Sequence, residues 1–356
     1  MKVNLTKNQV TIILAFFWIV FSLLFTQYNS RLYDQTVVKL LSVDRTDISD
    51  PSEEGRQDLT GQIQNGPRKG EIITLDAPLS FSQGVAPTYQ KGSQLFVDLS
   101  GKTVTIISVK RDRYVLLLLG LFILLVWWVG SKQGVFSLIS VGLNIGMLLL
   151  AVALYVTWPR LPLIAIMFVT GIITTALSLI LSTGWHKKTV ATIIATLTAS
   201  TIAWLIGWLV MTVCHDQGLR YEDMQFLTRP YRQIFIASLF LGTLGAAMDI
   251  AMTVVSTVME LLEKNPSISS KELIRAGQSV GKNVMGSMTS VLLFAYLSGG
   301  IPFIILYLKN GWAFAPSVEM TLSLEVARAL VGGIGIVLTI PLSVVVVAIM
   351  YRKGGA

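Results

Sequence analysis

Residues 234–262 read IFIASLFLGTLGAAMDIAMTVVSTVMELL, an apolar run that carries a carboxylate, Asp249, near its centre. A spanning helix needs about 20 apolar residues, and this run exceeds that length. A carboxylate at bilayer depth costs about 2.5–3.5 kcal/mol on insertion scales. Asp249 is therefore expected to face a partner or a watery cavity rather than acyl chains. The run marks a membrane protein with a polar point inside its spanning region.

Seven further stretches pass the same length test: Val10–Tyr28, Tyr114–Gly130, Gly134–Thr157, Pro162–Thr183, Thr189–Cys214, Val284–Leu308 and Leu324–Tyr351. Composition agrees. Of 356 residues, 53% are hydrophobic and 13% charged, with mean hydropathy +0.66; soluble domains carry about 25% charged residues. The fold expected is an α-helical polytopic membrane protein of eight spans, with the lipid bilayer as its main partner. The first span follows Lys2 and Lys7, as a secretory signal would. Its apolar core is long and no small-residue cleavage pattern follows at Gln27–Ser30, which predicts an uncleaved anchor.

Orientation follows from the basic residues of the short loops. One set of segments holds eleven Lys and Arg: Lys2, Lys7, Lys132, Lys187, Lys188, Lys264, Lys271, Arg275, Lys282, Arg352 and Lys353. The opposite loops hold five, namely Arg160, Arg220, Arg229, Arg232 and Lys309. Both termini are accordingly expected in the cytoplasm. The net charge of +8 reads as a topology signal rather than as a sign of an acidic partner.

Residues 29–113 then form an extracytoplasmic insertion after the anchor of residues 1–28, and residues 114–356 form a seven-helix membrane domain. The insertion opens with an acidic stretch, Asp44–Asp58, expected as a mobile linker. Strand-like runs follow at Gly61–Gln64, Glu71–Asp76, Leu95–Leu99 and Thr103–Val109, separated by turn signals at Asn65-Gly66-Pro67, Lys69-Gly70 and Gly92-Ser93. They predict a small β-barrel-like domain of OB or SH3 type. No aromatic stacking platform lies on these strands, so nucleic acid is not an expected partner. Cys214 is the only cysteine and His186 and His215 the only histidines, which leaves no thiolate or histidine metal cage and points to no cofactor.

On the Ile234–Leu262 span, Gly245, Asp249, Thr253, Ser256 and Glu260 recur at steps of three or four and share one helix face. The next span opens with Asn283, Ser287 and Ser290 at similar spacing; an earlier one carries Thr189, Thr192, Thr196 and Ser200, and Asn144 lies inside another. Such stripes either line a hydrated route or hold helices together. Arg328 is the only basic residue well within a span. Counting in from the span starts puts Asp249 about 22 Å deep and Arg328 about 6 Å deep at 1.5 Å per residue, so Glu325, one turn away, is the expected partner of Arg328. Between these spans, Ser269 and Glu272 have capping-box spacing. The helix they start is amphipathic over residues 270–283 and is expected to lie at the cytoplasmic surface. Gly299, Gly300 and Pro302 predict a bend or break further on.

The segment Gly242–Leu308, with LGAAMD, the turn at Asn265-Pro266 and GKNVMGSMT, together with ARALVGGIGIVLTIPL from Ala327, resembles the YibE/F-like multi-pass bacterial membrane proteins. The anchor and the Lys69-Gly70 segment resemble the longer members. The resemblance maps an Asp onto Asp249 and a second motif's Asn and Thr onto Asn283 and Thr289. It implies a bacterial cell-membrane location and a permease role with no assigned substrate.

Two functions are compatible with these residues. One is a permease or channel for a small solute or ion, with Asp249 as coupling or ligand site and the insertion as an outer lid. The other is an envelope sensor or assembly scaffold that uses the insertion. A second membrane subunit or a homo-oligomer fits either. An enzyme is not expected: no HExxH, no paired aspartates on neighbouring spans and no nucleophile with a histidine base occur.

Overall fold

The computed structural model describes residues 7–45, 55–79, 88–99, 104–158, 160–223 and 230–352. The chain divides into two compact units, Met1–Val135 and Phe136–Ala356. Among the described residues, seven helices are long and apolar enough to cross a membrane. They are α1 (Lys7–Tyr28), α2 (Asp112–Thr157), α3 (Leu163–Thr183), α4 (Lys187–Val213), α5 (Tyr231–Lys264), α6 (Ser270–Lys309) and α7 (Phe314–Arg352). In hydrocarbon each backbone group must be satisfied within its own segment, and a helix does that.

Two of the eight expected spans merge into α2, 46 residues long, but its backbone leaves the helical region at Ser131 (φ 50°, ψ −130°). A Cβ on Gly134 would come within 2.4 Å of the Val126 carbonyl oxygen. In a straight helix those residues would stand about 12 Å apart along the axis. The chain therefore turns back sharply here, and glycine is required at 134 by the close approach.

In the first unit, strands β1 (Thr36–Arg45), β2 (Gly55–Ile63), β3 (Ile72–Leu79), β4 (Gln94–Asp98) and β5 (Thr105–Val109) form one antiparallel sheet in the order β3-β2-β1-β4-β5. Among the described residues no strand ladder joins β3 to β5. Irregularities between Leu40 and Ser42 and between Phe96 and Val97 curl the sheet. Strand β1 corrects two expectations. The run TVVKLLSVDR had been passed over, although it is the central strand. The expected linker Asp44–Asp58 also contributes residues to β1 and β2; its middle, 46–54, lies outside the described residues. Val38, Leu40, Leu59, Ile63, Leu75, Leu95 and Val97 make the core. Inside it, fully buried Gln57 accepts from the Tyr89 backbone N–H (3.1 Å) and donates to the Pro78 carbonyl (3.3 Å).

Helices α1 and α2 meet at two levels in this unit. The Trp18 indole N–H donates to the Leu116 carbonyl (3.0 Å), and any side chain at Gly120 would overlap that indole. Nearer the other end of α1, Trp128 donates to the Asn8 side-chain oxygen (3.0 Å).

In the second unit, α5 is the most buried helix and packs against α3, α4, α6 and α7. Helix α4 offers it a face of small residues, Ala191, Ala195, Ala199 and Ala203, all buried at a spacing of four. Ile250, Val254 and Val258 of α5 cluster with Ile340 and Val344 of α7 and Leu273 of α6. The capping box forms as its spacing predicts: the Ser269 hydroxyl accepts from the Glu272 N–H and the Glu272 carboxylate accepts from the Ser269 N–H. The helix it starts is not a separate surface element, however. Residues 270–283 are the first turns of α6, which runs on unbroken through Gly299, Gly300 and Pro302 to Lys309. The reason is packing. A Cβ at Gly277 would strike Val344 (2.3 Å) and one at Gly281 would strike Ile340 (2.5 Å), so these glycines let α6 lie directly against α7.

Candidate functional site

Asp249 lies near the middle of α5, whose 34 residues span about 51 Å. It does not face the helix core. Its neighbours Ala247, Ile250 and Ala251 are buried, while Gly245, Asp249 and Thr253 are exposed on the opposite side of α5. Among the described residues the carboxylate has no ion pair and no hydrogen-bond donor.

Helix α6 runs antiparallel to α5. A Cβ on Gly242 would approach the Tyr296 hydroxyl (2.5 Å), and one on Gly277 would approach Val258 (3.1 Å). Interpolating between these contacts puts Asp249 level with residues 286–289 of α6 and Thr253 level with Asn283. Asn283, Ser287, Thr289 and Ser290 are all exposed as well. The outer surface of α5 and α6 thus carries one band of polar side chains at mid-depth. Four of its hydroxyl protons are spent on the helices' own carbonyls: Thr253 to Asp249 (2.9 Å), Ser256 to Met252 (2.5 Å), Ser287 to Val284 and Ser290 to Gly286 (2.9 Å each). The outward lone pairs of these four add acceptors to a band that also holds the Asn283 amide and one carboxylate. Beside it an apolar groove of about 690 Å³ separates α6 from α7, with Thr289 and Ser290 on one wall and Leu330, Gly333 and Val337 on the other.

The remaining candidates lie elsewhere. Glu260 pairs with Lys264 (2.6 Å) in the exposed last turns of α5. Asn144 donates to the Ser178 hydroxyl (2.6 Å), which also accepts from Ser140 (3.0 Å), so it joins α2 to α3. Thr189, Thr192, Thr196 and Ser200 are buried in the packed face of α4, away from the exposed band. Both oxygens of Glu325 accept from the Arg328 guanidinium (2.6 Å each), and that guanidinium also lies 5.4 Å from the ring centres of Phe235 and Tyr296. The Arg328 side chain passes 3.7 Å from a Cβ built on Gly242. Asp249, seven residues further along α5, is therefore about 10 Å deeper, too far for a direct pair.

Sequence reading missed a second polar centre, in the first unit. The Lys110 side chain is 2% exposed and forms a salt bridge to Asp112 (3.3 Å). Its ammonium donates to the Thr26 carbonyl (2.8 Å), to Gln94 (2.7 Å) and to the Asn29 side-chain oxygen. Asp112 also accepts from Asn29 (2.9 Å) and from the Tyr33 hydroxyl (2.7 Å). Burial pushes the Lys110 ammonium below its ordinary range, and the Asp112 carboxylate offsets part of that. The Tyr33 phenol is pushed up to about 12, by burial first and by Asp112 second. In sequence Lys110 looks like Arg111 and Arg113 beside it; only the distant Thr26, Asn29 and Gln94 mark it as different.

The Tyr33 shift has a measurable sign. Its contribution to stability is complete below pH 10, the ordinary value, and is lost as pH rises through about 12, because the unfolded chain ionises first. The unfolding midpoint of the first unit should fall across that window. Tyr33→Phe should flatten the fall without abolishing it, since burial also raises Tyr89. An unchanged slope in the phenylalanine variant would show that Tyr33 contributes nothing to it.

Comparison with known proteins completes the picture. Residues 118–353 match the YibE/F-like protein model, and residues 31–110 match the YibE/F family N-terminal domain. No curated protein and no solved structure matches the chain. The two family matches together cover nearly its whole length, and the chain belongs to the YibE/F family.

Proposed function

We propose that this protein is a permease or channel for a small solute or ion, and that its route is completed at an interface rather than inside one chain. The outer face of α5 and α6 forms one wall; a second copy or another membrane subunit forms the other. One observation carries the reading: Asp249 stands at mid-depth, exposed on the outside of its unit and without a partner among the described residues. Acyl chains cannot solvate a carboxylate there, so water, solute or protein must reach it. The antiparallel neighbour supplies Asn283, Ser287 and Ser290 at that level.

In this reading the protein sits in the bacterial cell membrane. The turn at Ser131 splits α2 into two crossings, eight in all, and Lys132 at that turn fits a cytoplasmic position. Both termini are then cytoplasmic, and the curled sheet, a barrel-like module, serves as an outer lid.

Hydration of the band can be tested without knowing the substrate. In a Cys214→Ser background, Thr253→Cys and Ser287→Cys should react with a membrane-impermeant thiol reagent in proteoliposomes, because only a hydrated thiol ionises. Phe294→Cys, at an exposed apolar position on α6, should react far more slowly. Equal, slow reaction at all three positions would mean that the band is dry and that the route does not exist.

A further inference from the structure

The first unit contains a cavity of about 600 Å³ between the last turn of α1, the turn before β4 and the start of α2. Lys39, Lys91 and Arg113 line it, and none of them has an ion-pair partner among the described residues. Lys110 and Asp112 also reach its wall, but they neutralise each other. The cavity is thus a polar pocket with three positive charges uncompensated among the described residues.

Its place in the chain narrows the occupant. Leu23 and Tyr114 form its apolar side, where two spanning helices meet the sheet. The helix surfaces next to it carry exposed apolar side chains, among them Leu24 (53%), Tyr114 (68%) and Leu118 (68%). A group held in the pocket by negative charge would have a hydrocarbon-compatible surface immediately beside it. Basic residues at this level attract anionic lipids, and here they surround a concavity instead of lying on an open face.

We propose that this pocket binds the phosphate-bearing headgroup of an anionic membrane lipid, whose acyl chains lie along α1 and α2. The phosphate is held by Lys39, Lys91 and Arg113. The site is separate from the band on α5 and α6 and does not depend on the permease reading.

The test uses the full chain in nanodiscs made from an equal mixture of phosphatidylglycerol and phosphatidylcholine, followed by detergent extraction and native mass spectrometry of the lipids retained. The wild type should retain phosphatidylglycerol selectively. The Lys39→Gln, Lys91→Gln, Arg113→Gln variant should lose that selectivity by roughly 100-fold, on a scale of about fivefold per basic residue near a membrane surface. A variant of equal charge change on the sheet's exposed surface, Arg56→Gln, Arg68→Gln, Lys69→Gln, should keep it. Equal retention of both lipids by the wild type overturns the proposal, as does selectivity that survives the pocket substitutions. Displacement of the retained lipid by millimolar glycerol phosphate overturns the membrane source and assigns the pocket to a soluble phosphate.

Discussion

Asp249→Asn is expected to lower flux by about 10–100-fold while the protein still assembles and unfolds as the wild type does. Asparagine keeps the volume and the hydrogen-bonding capacity of the side chain and removes only the charge. A hydrogen bond to a charged group is worth about 1.5–3 kcal/mol, and each 1.4 kcal/mol is tenfold in an equilibrium, which sets the range. The assay is uptake of protons and monovalent cations into proteoliposomes under an imposed potential. The surrounding geometry makes the test sharp. Thr253, Ser287 and Ser290 already donate to their own helices, so these three hydroxyls are not placed to inherit the role of the carboxylate. The Arg328 guanidinium is committed to Glu325, so no unpaired cation is left behind to distort the fold. Normal flux through the asparagine variant would reduce the band to a packing surface between subunits.

Lys110→Met should destabilise the first unit by about 3–5 kcal/mol, the usual cost of removing one partner from a buried ion pair. Methionine fills most of the space. It nevertheless leaves the Thr26 carbonyl and the Gln94 and Asn29 side-chain oxygens without the ammonium, and leaves the Asp112 carboxylate with only the neutral donors Asn29 and Tyr33 and no opposite charge. Hydrogen exchange of β1, β4 and β5 in the full chain would measure the loss. Adding Asp112→Asn should recover part of it, because the stranded charge is the largest element of the damage. A loss below about 1 kcal/mol, the range of exposed ion pairs, would mean that water reaches this corner and the network is ornamental.

Local features were readable from the chain. Ser269 and Glu272 are three residues apart and cap a helix that begins at Ser270; Glu325 and Arg328 are three apart and pair. The gap between the spans ending at Gly130 and starting at Gly134 is where the backbone of α2 turns. What the chain could not disclose was direction. Helical spacing puts Asp249, Thr253 and Ser256 on one face, but in a membrane protein both the inside and the lipid side are apolar. No contrast in hydrophobicity says which way the face points, and it took the packing of Ile250, Val254 and Val258 against α7 to turn Asp249 outward. Strand β1 was missed for a different reason: Lys39, Ser42 and the acidic residues after it break an otherwise apolar run. Its burial comes from β2 on one side and β4 on the other. The Lys110 centre joins residues more than eighty positions apart, beyond the reach of any spacing rule.

That centre also has a mechanical meaning. One ammonium grips the end of α1, strand β4 and, through Asp112, the beginning of α2. The sheet is thereby riveted to two helices that already touch at Trp18 and Trp128. A tug on the sheet would therefore not be absorbed as slack in a tether; it would arrive as torque on the paired helices α1 and α2.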